Sequence, residues 1–153
     1  MQISYGTAQQ VTLYLNNGHF ATSEIVNTEG YVDVLVFAKL NTGSSHLGIG
    51  VDIYAYGSLT GVHYTGYGNY LNGTVTSGFF NDFGMTSPKV LHGWVNSSGQ
   101  QLYLGPVSIA RAFGGILPQR WGLKVYQIKF SGSNSYFTSG EIYYRGITFS
   151  SLV

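Results

Sequence analysis

Apolar and polar residues alternate at period two through nearly the whole chain. No other feature limits the fold as strongly, because only a β-strand sends successive side chains to opposite faces. Val11, Leu13 and Leu15 point one way with Thr12 and Tyr14 the other, and Val32, Val34, Val36, Ala38 and Leu40 share a face. Ile49, Val51, Ile53 and Ala55 repeat the pattern, as do the runs at 90–95, 101–104, 123–130 and 141–149, with Asn-Gly, Ser-Gly and Gly-Ser turn pairs between segments. About eight strands at this spacing predict an all-β fold, an antiparallel two-sheet sandwich of jelly-roll type.

Two stretches depart from the pattern. A strand is expected to end at Gly105-Pro106, followed by a short helical turn within 107–114 that puts Ile109, Ala112 and Phe113 on one face. Gly114-Gly115 stop that turn, and Leu117-Pro118 lead into the next strand. The segment 59–85 carries large aromatics in Gly-rich surroundings and is expected to be an irregular excursion from a single sandwich domain spanning 1–153. Residues 1–8 have few apolar anchors and are expected to form an N-terminal arm that becomes ordered on a neighbour.

Composition excludes several classes of function. Charged residues make up 8% of the 153, against about 25% in ordinary domains, while aromatics reach 16% and glycines number 22. With 7 basic and 6 acidic residues the net charge is +1, and Lys39, Lys89, Arg111, Arg120, Lys124, Lys129 and Arg145 do not cluster, so no nucleic-acid partner is expected. The absence of cysteine excludes disulfides and thiolate zinc sites. No apolar run approaches the roughly 20 residues of a membrane helix. The opening Met1 to Tyr5 lacks the basic start and apolar run of a secretion signal. No membrane partner is expected, and the chain is expected to fold in a cytoplasm. A surface so weakly charged and so rich in tyrosine is expected to be committed to protein partners in an assembly.

The chemistry-bearing residues are sparse. His19, His46, His63 and His92 lie far apart with no spacing that sets two ligands on one face, so no metal is expected. Sugar hydrolysis needs two flanking carboxylates, and only Glu24, Glu29, Asp33, Asp52, Asp82 and Glu141 are present. Asp33 and Asp52 fall mid-strand opposite the apolar face and are expected to point to solvent or a neighbour. No Gly-x-Ser-x-Gly occurs, and neither Gly48-Ile49-Gly50-Val51 nor Gly66-Tyr67-Gly68-Asn69 makes a phosphate cradle. No catalytic residue and no cofactor is expected, and the chain is not read as an enzyme.

The aromatic residues carry more information. Trp121 is expected to anchor the incoming strand in the core rather than to serve as an exposed sugar platform. Tyr54, Tyr56, Tyr126, Tyr143 and Tyr144 sit in strands and are expected to pack half-buried across them. Tyr64, Tyr67 and Tyr70 lie in a Gly-rich segment that cannot cover all three rings, which makes them candidate interface residues, for a subunit first and a glycan second. Phe79, Phe80, Phe83 and Met85 form a second apolar cluster, expected to contact protein.

Read in order, Ile3-Ser4-Tyr5-Gly6-Thr7, Asp33-Val34-Leu35-Val36, Val51-Asp52-Ile53-Tyr54-Ala55-Tyr56-Gly57-Ser58, Tyr103-Leu104-Gly105-Pro106-Val107-Ser108, Leu117-Pro118-Gln119-Arg120-Trp121-Gly122-Leu123-Lys124-Val125 and Tyr144-Arg145-Gly146-Ile147 resemble small virion proteins of tailed bacteriophages. The resemblance covers most of the chain outside 59–85. It implies a capsid decoration or cement protein: a non-enzymatic β-sandwich, a homotrimer, seated on the outside of the head, where it clamps neighbouring subunits. The implied partners are the major capsid protein or other virion proteins, and the implied location is the virion, assembled in the bacterial host cytoplasm. The other reading is a receptor- or glycan-binding head of a tail fibre or baseplate, with Tyr64 to Tyr70 as its site. Such a head normally follows a shaft module, whereas this chain starts at Met1 and enters a strand near Gln9, which favours decoration.

Overall fold

The structure is a computed structural model that describes residues 1–16, 19–22, 24–42, 49–58, 88–95, 101–129 and 137–150. Five short strands come first: β1 (Gln2–Tyr5), β2 (Gln9–Val11), β3 (Leu13–Asn16), β4 (His19–Thr22) and β5 (Ile25–Val26). The long alternating segments then form β6 (Asp33–Thr42), β7 (Ile49–Ser58), β8 (Lys89–Val95), β9 (Gln101–Ser108), β10 (Arg120–Lys129) and β11 (Phe137–Ser150), with one helical turn, α1 (Ile109–Ala112), after β9.

These strands make two antiparallel sheets. In the first, β1 and β2 lie in tandem along one edge of β11, and β6 and β9 follow on its other side. In the second, β3 pairs with β4, β4 and β5 share one edge of β10, and β7 and β8 follow. The chain crosses from the first sheet to the second at Thr12 and changes sheet repeatedly afterwards, so neighbours in sequence end up facing each other across a core.

That core is what the alternation predicts. Val34, Val36, Ala38, Leu40 and Ile142 of the first sheet meet Ile49, Val51, Ile53, Ala55, Leu123 and Val125 of the second, each at most 2% exposed. Burying a side chain of the Val, Leu or Ile class stabilises by about 1.5–3 kcal/mol. Trp121 is 1% exposed and meets Tyr144 of the opposite sheet edge-on, ring centres 5.2 Å apart, so it anchors the core as expected. Gly93 leaves room for Leu102 and Leu104 to reach across: a Cβ there would lie 2.8 and 2.7 Å from their methyl carbons. Ile109 and Leu117 are buried at one end of the core, with Phe113 packed against it.

The structure departs from the sequence reading in several places. The strand at Gly105-Pro106 does not end there but runs on to Ser108, because a register shift between Val36 and Ala38 absorbs the pair. Gly105 has φ +104° and its Cβ position lies 2.5 Å from the Val36 carbonyl oxygen, so the bulge requires glycine, and a bulge is where proline's missing N–H is tolerated. The helical turn is correspondingly shorter than 107–114. Ser108 caps it by accepting from the Arg111 N–H (3.1 Å), and the Gly115 N–H closes it on the Ala110 carbonyl (2.8 Å). Val32 precedes β6 and is 40% exposed, so it leaves the apolar face it was placed on. Within the N-terminal arm, Gln2–Tyr5 pairs with Ile147–Ser150 of this chain's own β11, an anchorage of main-chain bonds invisible to a reading of apolar side chains. The excursion at 59–85 lies outside the described residues.

Candidate interaction surface

The outer face of the first sheet changes character along its length. Towards one end the outward positions are polar and partnered: Lys39 sits 3.8 Å from Glu141, and Asn41 donates to Ser139 (3.0 Å). Tyr143 also donates to Glu141 (3.1 Å), and that hydrogen bond holds its phenol protonated above the ordinary pKa of 10.0. Further along the face, Phe37 and the exposed Tyr103 stack tilted, centroids 6.1 Å apart.

At the other end the face turns apolar. Ile3 of β1 pairs with Phe149 of β11, and Tyr5 pairs with Ile147, which sets these four side chains side by side on the outward face. Ile3, Tyr5 and Phe149 are each more than half exposed. Together with Val32 they form one side of an open groove of about 520 Å³, whose other side is α1 and its Gly114-Gly115 turn, with Arg111 among the lining residues. Asp33 also lines the groove, but its Oδ1 already accepts from the N–H groups of Val34 (2.7 Å) and Ala110 (2.8 Å). The groove therefore offers mostly apolar surface, with the exposed Arg111 as a cation at its rim. Asp33 was expected to face solvent or a neighbour; instead it opens β6 and ties the first turn of α1 to it.

A second cluster lies on the outer face of the second sheet. Asp52, 7% exposed, accepts from His92 Nδ1 (2.7 Å), Lys89 Nζ (3.4 Å) and the Tyr54 hydroxyl (3.4 Å). Burial and the Asp52 charge both raise the Tyr54 pKa, keeping the phenol a donor. The expectation that Asp52 points to solvent or a neighbour is corrected: β8 brings a cation and an imidazole across the strand pair, and the carboxylate is used internally. With three donors converging on it, Asp52 is a structural acceptor. The exposed His92 ring is held through one nitrogen, and no group of three or more His, Cys, Asp or Glu side chains among the described residues could hold a metal.

The interface residues picked from the sequence, Tyr64, Tyr67, Tyr70, Phe79, Phe80, Phe83 and Met85, all lie outside the described residues. The surface that the structure does present was missed because its members are scattered: Ile3, Tyr5, Val32, Ile147 and Phe149 come from the two ends of the chain and the start of β6. Two signals were available, the uncharged stretch Met1 to Gln10 and the apolar outward residues Ile147 and Phe149 in the last alternating run. No family model matches this chain, and comparison with curated proteins and with solved structures gives no match.

Proposed function

We propose that this chain is a non-enzymatic structural protein that works by binding other proteins of an assembly, in the manner of the phage decoration proteins its motifs resemble. The observation that carries the reading is the exposed, mostly apolar groove framed by β1, β11 and α1. An apolar patch of this kind on a weakly charged protein is the usual mark of a protein-binding site.

The strand order supports the same reading. Taking β1 with β2 as one interrupted strand, β4 with β5 as another, and β3 as an added edge, the described residues have eight strand positions, and the two sheets run 1-8-3-6 and 2-7-4-5. We read this as the two interleaved Greek keys of a jelly roll, an architecture common in viral capsid proteins. Fold alone does not fix function, so the groove carries the argument and the topology accompanies it. The mechanism is mass action: a protein that binds only the assembled lattice stabilises it by its own binding free energy, and many weak footholds on one particle add up to tight attachment.

The experiment is to quantify the chain in purified particles by densitometry against the major capsid protein and to locate it by electron microscopy. A copy number comparable with the capsid protein, on the outer surface of the head, supports decoration. A handful of copies per particle moves the protein to the tail, and absence from particles rejects the virion reading.

A further inference from the structure

A sheet edge invites pairing with another strand unless something blunts it. At its edge of the second sheet, β8 carries the charged Lys89 and the exposed His92 and shifts register against β7 between Ile53 and Tyr54. At its edge of the first sheet, β9 carries Pro106 and the Gly105 bulge. Neither device is present on β1. It pairs with β11 without a register shift, holds no proline, and no charged side chain occurs from Met1 to Gln10.

The hydrogen-bond directions of β1 follow from its register. The Gly6 N–H bonds the Gly146 carbonyl (2.9 Å), so Gly6, Ser4 and Gln2 turn their main-chain groups towards β11. Ile3 and Tyr5, one position out of step, turn theirs away from β11, to the open edge. Their side chains lie on the apolar outward face.

We propose that β1 pairs with β1 of a second copy across a two-fold axis at Ser4, joining the two first sheets into one. Ile3 then faces the second copy's Tyr5 and Tyr5 its Ile3, so the four outward N–H groups and four outward carbonyls of the two strands can close four main-chain hydrogen bonds. Two-fold pairing sets the edge against a second copy of itself, which would bring like charges close together on an edge with charged side chains, and Met1 to Gln10 carries none. Four main-chain hydrogen bonds, each exchanged for bonds to water, do not by themselves hold a stable dimer, which buries roughly 800 Å² per partner. The exposed Ile3 and Tyr5 side chains, meeting across the same axis and flanked by Phe149 on β11, supply the apolar area. The contact is closed, so it consumes the edge instead of propagating. It replaces the homotrimer implied by the resemblance, and it does not rest on the virion reading.

The test uses the full chain, whose lack of cysteine makes an introduced thiol unique. At the dyad, two Ser4 Cα atoms face each other in a non-hydrogen-bonded pair at about 4.5 Å, within disulfide range. Two Gln2 Cα atoms would lie roughly 14 Å apart, four residues along the strand. Ser4→Cys should therefore crosslink to a covalent dimer under mild oxidation, and Gln2→Cys should not. The wild-type chain should sediment at twice 16.6 kDa, and Ile3→Lys, which sets a cation on each side of the axis, should weaken self-association at least tenfold while melting like the wild type at concentrations where both are monomeric. In the unmodified protein, exchange of the Ile3 and Tyr5 amides should slow as concentration rises. A monomer at all concentrations, a trimer, equal crosslinking of the two cysteine variants, or fast exchange of both amides in the associated state would each overturn the proposal.

Discussion

Tyr56 and Gly122 show how far single residues set the outer face of the second sheet. They are register partners on β7 and β10, and the tyrosine ring lies across the glycine, where a Cβ would come 2.2 Å from the Tyr56 oxygen. Tyr56 is fully buried, and its hydroxyl donates to the Thr22 carbonyl on β4 (3.0 Å), so the ring spans three strands. Gly122→Ala should displace the ring and destabilise by about 1–3 kcal/mol, measured by chemical denaturation. Tyr56→Phe keeps the ring but leaves that carbonyl without its donor and should cost about 1–3 kcal/mol. Tyr144 gives a pH signature. Burial first, then the Tyr31 and Glu29 charges, raise its pKa above the ordinary 10.0. A raised folded-state pKa means that the stabilisation is fully present below pH 10 and is lost as pH climbs through the folded value. Melting temperature should therefore fall above about pH 10, and Tyr144→Phe should make the fall shallower.

At the level of elements, the instructive unit is the corner made by the start of β6, the end of β9 and α1. A four-residue helix has almost no stability of its own, so it persists through its caps and neighbours: Ser108 at one end, Gly114 and Gly115 in the left-handed region at the other, and Asp33 reaching the Ala110 N–H from β6. Asp33→Ala removes the acceptor for two main-chain donors at once and should destabilise by about 1–3 kcal/mol. Ser108→Ala, which loses one capping bond, should cost about 0.5–2 kcal/mol. If both variants melt like the wild type, the corner is held by Ile109 and Leu117 packing alone. The corner was partly legible: Gly114-Gly115 marked the stop correctly, while Gly105-Pro106 misled, since the same pair that ends a strand in isolation can form a bulge inside a paired one.

For the whole molecule the low charge count sets the expected response to solvent. Among the described residues the ion pairs Lys39–Glu141, Lys89–Asp52 and Arg120–Glu24 use both partners' charges internally, and the apolar end of the first sheet's outer face offers a partner mainly apolar surface beside Arg111. Raising NaCl to 1 M cuts the Debye length to about 3 Å, yet association through this face should stay unchanged, and it should tighten in sulfate, which favours apolar burial. Sedimentation across a salt series reads this directly. Dissociation at moderate salt would show that the scattered basic residues make the contact.

The alternation alone determined that the chain is all-β and which residues of each long strand share a face. The positions expected to be inward on β6 and β7, Val32 apart, are all buried, because period two is a property of the strand itself. Which faces are covered was decided only by tertiary structure. Asp52, Tyr56 and Lys124 hold outward positions by the same alternation, yet are 7%, 0% and 0% exposed, whereas Ile3, expected in an N-terminal arm, and Phe149, in the last alternating run, stand in the open on one sheet. Pattern along a strand records the side on which each residue lies. It carries no record of what other elements bring over that side, such as β8 setting His92 and Lys89 on Asp52, or the two ends of the chain meeting to build an apolar groove from residues more than a hundred positions apart.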